Sequence, residues 1–209
     1  MSVQLQGVLV EARLRGLLGP GSLDAHITQA AGFAEAVPDG ATFLDLGSGG
    51  GVPGLPLLVA RDDLTGILVD SATRRIKFLE WAVDQLEMAS RVTVAWGRAE
   101  ELSRSEHLRG ALPVVLSRSF GRPAVAAECA RGFLAPGGLL VVSEPPAGAP
   151  SAPDTGEERW PAEPLLKLGY ELGDAYRHRG FGFQVLVAVG DCPAKVPRRP
   201  GIPSKRPRF

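Results

Sequence analysis

The stretch TFLDLGSGGGVPG, residues 42–54, constrains this chain more than any other. Thr42, Phe43, Leu44 and Leu46 form a short apolar run of the kind that makes a fully buried strand, and it stops at a cluster of glycines. Glycines at 47, 49, 50, 51 and 54 free the backbone to take positive φ and to approach a ligand without a Cβ in the way. Pro53 suits the first turn of a following helix, where its missing N–H costs nothing. Strand, glycine loop and helix in that order predict a nucleotide-binding turn.

Asp45 decides which nucleotide. In a dinucleotide fold a pyrophosphate sits on such a loop, and a carboxylate at the strand end repels it. S-adenosylmethionine carries a sulfonium and an ammonium group and no phosphate, so the same carboxylate favours it. Asp45, Gly47 and Gly49 give the order D-x-G-x-G, which resembles the cofactor loop of class I methyltransferases. Gly49, Gly51 and Gly54 can also be read as G-x-G-x-x-G, a weak signal standing alone, and the bland alternative is a glycine-rich connection in another α/β protein.

The 209 residues suit one medium domain with a real core. No apolar run is long enough to span a bilayer, and the start MSVQLQGVLVEARLRG lacks a signal-peptide core, so a cytoplasmic protein is expected. Cys129 and Cys192 stand far apart without metal-ligand spacing and read as reduced structural thiols, so no metal is expected. Net charge is zero, but Lys195, Arg198, Arg199, Lys205, Arg206 and Arg208 crowd into the last fifteen positions without an acid. Residues 1–194 are left with 17 basic against 23 acidic residues, so the C-terminal end alone is built for an anion. We expect 1–40 to form N-terminal helices, 41–190 the core and 191–209 a basic tail.

In chain order, helical spacing predicts helices over 3–18 and from Ser22 or Asp24 to about Val37. His26 lies on the second and reads as a packing or hydrogen-bonding residue. Leu64 to Val69 forms a second buried strand ending in Asp70-Ser71. Asp70 is placed to accept ribose hydroxyls, while Ser71 and Asp70 are also candidate caps for the helix that follows. Arg74, Arg75 and Lys77 near the start of that helix read as a solvated face. A third strand, 91–96, leads to Ala99-Glu100, placed to meet the adenine, although Glu100 serves equally well as a first-turn helix acid. A fourth strand, 113–116, ends beside Arg118, where cofactor and substrate should meet. LAPGGLLVVSEPP reads as a turn and a fifth strand, 145–159 as a Pro/Gly-rich loop, and 170–177 with 181–189 as an antiparallel pair.

DLGSGGGVPGLPL, VDSATRRIKFLEWAVDQL, GRAEEL, LSRSF and PRRPGIPSKRP together resemble, in the same order, the bacterial small-subunit ribosomal RNA guanine-N7 methyltransferases known as RsmG or GidB. The resemblance implies an α/β, class I S-adenosylmethionine-dependent methyltransferase fold: a Rossmann-like, seven-stranded, mostly parallel sheet with one antiparallel strand. It implies cofactor contacts at Gly47, Val52, Ala99, Glu100 and Arg118, to which the general class I pattern adds Asp45, Gly49, Asp70 and Ser71. It implies ribosomal RNA in the small subunit as partner, with Lys195, Arg198, Arg199, Lys205 and Arg206 contacting phosphates and Arg118 orienting substrate or cofactor without a general base. A monomer is expected. The chain departs from the family pattern where His26 is followed by ITQA, and where Ser143-Glu144-Pro145-Pro146 follows strand five in place of a lysine-glycine pair. Two other readings keep the cofactor residues: a divergent methyltransferase of small molecules, and a non-catalytic cofactor- or RNA-binding module.

Overall fold

The computed structural model describes residues 2–146 and 159–209. Its strands are β1 (Thr42–Leu46), β2 (Thr65–Asp70), β3 (Val92–Trp96), β4 (Leu112–Ser117), β5 (Leu134–Ser143), β6 (Tyr170–His178) and β7 (Phe181–Ala188). They form one sheet in the order β3-β2-β1-β4-β5-β7-β6. β1 through β5 pair in parallel, and β7 inserts antiparallel between β5 and β6. Seven strands with a single reversed one match the expectation. The first five pair in parallel because each is followed by a helical crossover, whereas β6 and β7 are joined by the tight turn at Arg179 and Gly180.

Alternation along the strands divides the core between two faces. Phe43, Leu68, Val114, Leu116, Val141 and Phe183 point to one face, covered by α1 (Val3–Leu14), α2 (Leu23–Phe33), α3 (Gly54–Ala60) and α4 (Thr73–Gln85). Leu44, Leu46, Val69, Val115, Leu140 and Leu186 point to the other, covered by α5 (Ala99–Leu102), α6 (Pro123–Arg131) and α7 (Ala162–Leu168). The first helix stops at Leu14, four residues short of the expected end, and Ser22 caps the second through the N–H of Ala25. Most of the loop expected over 145–159 falls on 147–158, outside the described residues. The basic segment after residue 190 is no free tail. It packs on α6 and carries α8 (Ile202–Lys205), with Val196 and Pro203 buried.

One buried cation ties this second face together. Arg131 at the end of α6 is 0% exposed and donates to four carbonyls, those of Gly169, Leu134, Val189 and Gly190, at 3.0, 3.1, 3.1 and 2.7 Å. Its guanidinium also sits 5.8 Å from the ring centroid of Tyr170. These contacts join the end of α6 to the start of β5, the α7–β6 turn and the end of β7. Arg131→Met keeps the apolar stem and strips the donors, so urea unfolding should show a loss of about 3 kcal/mol. A loss below about 1 kcal/mol would mean that water replaces the guanidinium at little cost.

Candidate functional site

The carboxyl ends of β1, β2, β3 and β4 converge on one cleft, where the loops after parallel strands leave room for a ligand. Gly47 follows β1 with φ +73°, and a Cβ there would stand 2.6 Å from the ring of Phe120, so a side chain at 47 meets both strain and collision. The loop is tied down by the N–H of Ser48 to the carbonyl of Val69 (2.9 Å) and the N–H of Gly51 to the carbonyl of Ser48 (2.7 Å). One cavity of about 230 Å³ is lined by Gly47, Asp70, Ser71, Ala99, Glu100 and Phe120 among others. A second, of about 190 Å³, is lined by Gly49, Val52 and Arg118. Gly47, Arg75 and Ser119 line both, which makes them parts of one cleft.

Asp45 lines neither part. By strand alternation it shares the face of Phe43, beneath α3, and its Oδ2 accepts the N–H of Gly54 at 3.0 Å. A Cβ on Gly54 would come 2.8 Å from that oxygen, so the glycine is needed for the helix to approach the strand this closely. The carboxyl is 1% exposed, and burial pushes it up to about 7 against the opposing pull of the Gly54 N–H and Arg118. Asp45 therefore braces the loop from behind. The geometry shows a carboxyl bonded to the backbone that starts α3, close enough to feel the charges of Arg118 and Asp70 but lining neither part of the cleft.

Asp70 is a carboxylate of the cleft. Its Oδ2 accepts from the N–H of Gly49 (3.0 Å) and from Arg75 Nη1 (3.3 Å), and its Oδ1 from the N–H of Ala72 (2.9 Å). The last bond holds the N–H of Ala72, the residue before α4, and neither Asp70 nor Ser71 caps that helix through its side chain. The carbonyl of Ser71 takes the indole N–H of Trp96, and the residue itself lines the cleft. Arg75, half exposed on the face where it was expected, also reaches Asp70 and the cleft wall.

Glu100 lines the cleft and belongs to the first turn of α5. Its Oε1 accepts from Arg98 Nη2 (3.1 Å) and from the backbone N–H of Gly201 (2.9 Å). Burial acts to raise this carboxyl, and the hydrogen bonds from Gly201, its own N–H and Arg98 overcome it and hold it low.

Arg118 is anchored by the N-terminal helices. Its Nε donates to Gln29 Oε1 at 2.7 Å and its Nη2 to His26 Nδ1 at 2.6 Å. A guanidinium only donates, so Nδ1 is the acceptor and the ring proton sits on Nε2, facing the carbonyl of Gly19 at 3.1 Å. His26 is thus the neutral tautomer, held there chiefly by burial and then by the adjacent Arg118 charge, both of which lower its pKa. Phe120, Arg75 and Ser204 are cleft residues that sequence reasoning missed. Phe120, three residues past the end of β4, packs against the core of the second face and lines the cleft as well.

Of the basic residues near the C-terminus, Lys195, Arg199, Lys205 and Arg206 are exposed. Arg198 is not available in the same way. Its N–H, Nε and Nη2 donate to Glu128 at 2.9, 2.8 and 2.6 Å, and Glu128 in α6 is 0% exposed. A fully buried carboxylate requires such a partner, which removes Arg198 from the phosphate-contacting set. Among the described residues no group of three or more His, Cys, Asp or Glu is placed to hold a metal, and no helix is long and apolar enough to cross a membrane.

The sheet order and the cleft at its carboxyl edge define a class I S-adenosylmethionine-dependent methyltransferase fold. The chain superposes on an O-methyltransferase from Bacillus cereus in complex with SAH with a TM-score of 0.63 at 13% identity, covering 90% of this chain and 91% of that one. A SAM-dependent methyltransferase from Aquifex aeolicus gives 0.61 at 16% identity, covering 85% and 97%. A family model described as rRNA small subunit methyltransferase G, GidB, matches residues 13–144. Ribosomal RNA small subunit methyltransferase G of Salinispora arenicola is 39% identical over 166 residues, 75% of this chain and 66% of that protein. Its counterpart in Carboxydothermus hydrogenoformans is 37% identical over 171 residues, 78% and 69%. The chain belongs to this rRNA small subunit methyltransferase G family. It spans only 66% and 61% of the length of the two Salinispora relatives it matches.

Asp45 offers a pH test of the loop brace. Its folded pKa of about 7 lies above the unfolded value near 3.9, so its stabilising contribution is complete below about pH 4 and is lost as pH rises through 7. Asp45→Asn preserves an acceptor for Gly54 and removes the titration. Urea unfolding from pH 4 to 8 should show wild-type stability declining relative to the variant, and parallel curves would contradict the buried, proton-retaining carboxyl.

Proposed function

We propose that the chain binds S-adenosylmethionine in the cleft and transfers its methyl group to guanine N7 in small-subunit ribosomal RNA. The observation that carries this reading is the meeting of the Gly47–Gly49 loop, Asp70 and Arg118 in one cleft of a chain belonging to the small-subunit rRNA methyltransferase family. The residues present fit the cofactor. Asp70 offers a carboxylate for ribose hydroxyls, Val69, Ala99 and Val125 offer an apolar slot beside it for the adenine, and the side-chain-free Gly47 lets a ligand lie against the backbone. Gly49, Val52 and Arg118 line the part of the cleft left for the amino-acid end. When bound, the cofactor supplies an electrophilic methyl group on a sulfonium.

A cavity of about 540 Å³ adjoins the cleft, sharing Ser119 and Phe120 with it and bounded also by Gln29, Arg122 and Glu144. We assign the methyl acceptor to it. Ser119 adopts φ +55°, a left-handed backbone that carries the chain from β4 around the cleft and sets Phe120 between the two chambers. Glu144, unfavourable beside RNA as a free charge, is paired here with Arg159 Nε at 2.5 Å and with the Trp160 indole N–H at 2.7 Å.

Guanine N7 carries a free lone pair, so no proton leaves before it attacks and no general base is required. The task left to the protein is alignment of acceptor, methyl and leaving sulfur, together with exclusion of water. Arg118, which lines the cofactor cleft and is pinned by His26 and by Gln29, the latter a wall residue of the acceptor cavity, is the orienting residue. The base has to be presented unstacked, which suits a single-stranded RNA loop better than a duplex. Lys195, Arg199, Lys205 and Arg206 contribute phosphate contacts without sequence preference.

Labelled methyl transfer from the cofactor to small ribosomal subunits, compared with transfer to a cell metabolite extract, tests the reading. Label in the rRNA supports it, and label confined to small molecules overturns it. Arg118→Ala should lower kcat/KM by about 100-fold with cofactor affinity changed far less. Replacing Arg199, Lys205 and Arg206 together by Gln should reduce the slope of log affinity for RNA against log salt by about 2. An unchanged slope would remove these residues from the RNA contact.

A further inference from the structure

The C-terminal segment is held on the body of the protein by an unusual concentration of polar contacts for a stretch of its composition. Glu128, fully buried, takes three hydrogen bonds from Arg198 and lies 3.5 Å from Arg208 Nε. Arg104 Nη2 donates to the carbonyl of Pro197 at 2.5 Å, and Arg109 Nη1 to that of Val196 at 3.2 Å. Glu100 accepts the N–H of Gly201. Phe209 meets Trp160 edge-on, with centroids 6.5 Å apart. These contacts bring Ser204 into the wall of the cleft, on the side formed by Gly97 to Glu100, Val125 and Cys129.

Two acids therefore do linked work. Glu100 touches the cleft with its own surface and the segment with its Oε1, so a displacement of the segment strips one partner from a cleft residue. Glu128 sits in α6 with Val125 and Cys129, both of which line the same side of the cleft, so the latch and the wall share a helix.

We propose that the C-terminal segment is the outer wall of the adenosine end of the cofactor site, with Ser204 as a cofactor-contacting residue and Glu128 as the latch that keeps the wall in place. The inference rests on the cofactor reading given above. It assigns the basic segment a second role, one that truncation experiments would confuse with RNA binding: a chain cut before Arg198 loses phosphate contacts and cofactor wall together.

Equilibrium binding of S-adenosylhomocysteine and of adenosine to full-length variants tests it. Ser204→Trp fills the cleft from a surface position and leaves the core intact, so both ligands should bind at least about tenfold more weakly and by the same factor. Glu128→Gln should weaken both about tenfold and speed amide exchange across residues 196–206. In the wild type, S-adenosylhomocysteine should slow exchange in the same segment. If Glu128→Gln fails to fold, Ser204→Trp and the exchange measurement decide. Wild-type affinity in Ser204→Trp, with exchange in 196–206 indifferent to ligand, would overturn the wall while leaving the cofactor reading standing. A wild-type chain that binds neither ligand would overturn both.

Discussion

The bond from the Gly54 N–H to the buried carboxyl of Asp45 is the contact on which the site depends. It fixes the start of α3 against the end of β1, and the glycine loop between them closes as a consequence. With the loop closed, the N–H of Gly49 points at Asp70, and the ends of β1 and β2 become one surface. Burying a carboxyl in this position is costly, and the protein meets the cost by letting it keep its proton near neutral pH. The carboxylates that line the cleft are Asp70, one strand over with three donors on it, and Glu100 in α5.

Around that frame the site is assembled from distant parts of the chain. Arg118 comes from the end of β4 but is aimed by His26 and Gln29 of α2, about ninety residues earlier. Glu100 comes from α5 but is partnered by Gly201, 101 residues later. The N-terminal helices and the C-terminal segment thus act on the cleft from opposite sides, while the sheet supplies the fixed floor.

The β1–α3–β2 unit was legible because apolar runs, glycines and Asp70 all indicate the same local structure. Alternation alone also contained the fate of Asp45, since it shares a face with Phe43, but the loop motif drew the reading toward ligand charge. Arg75 is the surface cation that helical spacing makes it, and its added contact with Asp70 depends on tertiary proximity that the spacing does not contain. Glu128, Arg131 and Arg198 were not legible as buried partners. Charged residues in a helix or a basic segment look solvated until tertiary packing removes the water, and nothing local announces which acid will meet which base.

The most direct measurement is the position of the methyl group. Small ribosomal subunits lacking the modification would be incubated with the protein and cofactor, and the RNA digested to nucleosides for mass spectrometry. The account predicts a gain of 7-methylguanosine, the product of a nitrogen that needs no base to unmask it. Methylation at a ribose hydroxyl or at guanine N1, either of which requires a proton to be removed first, would contradict it.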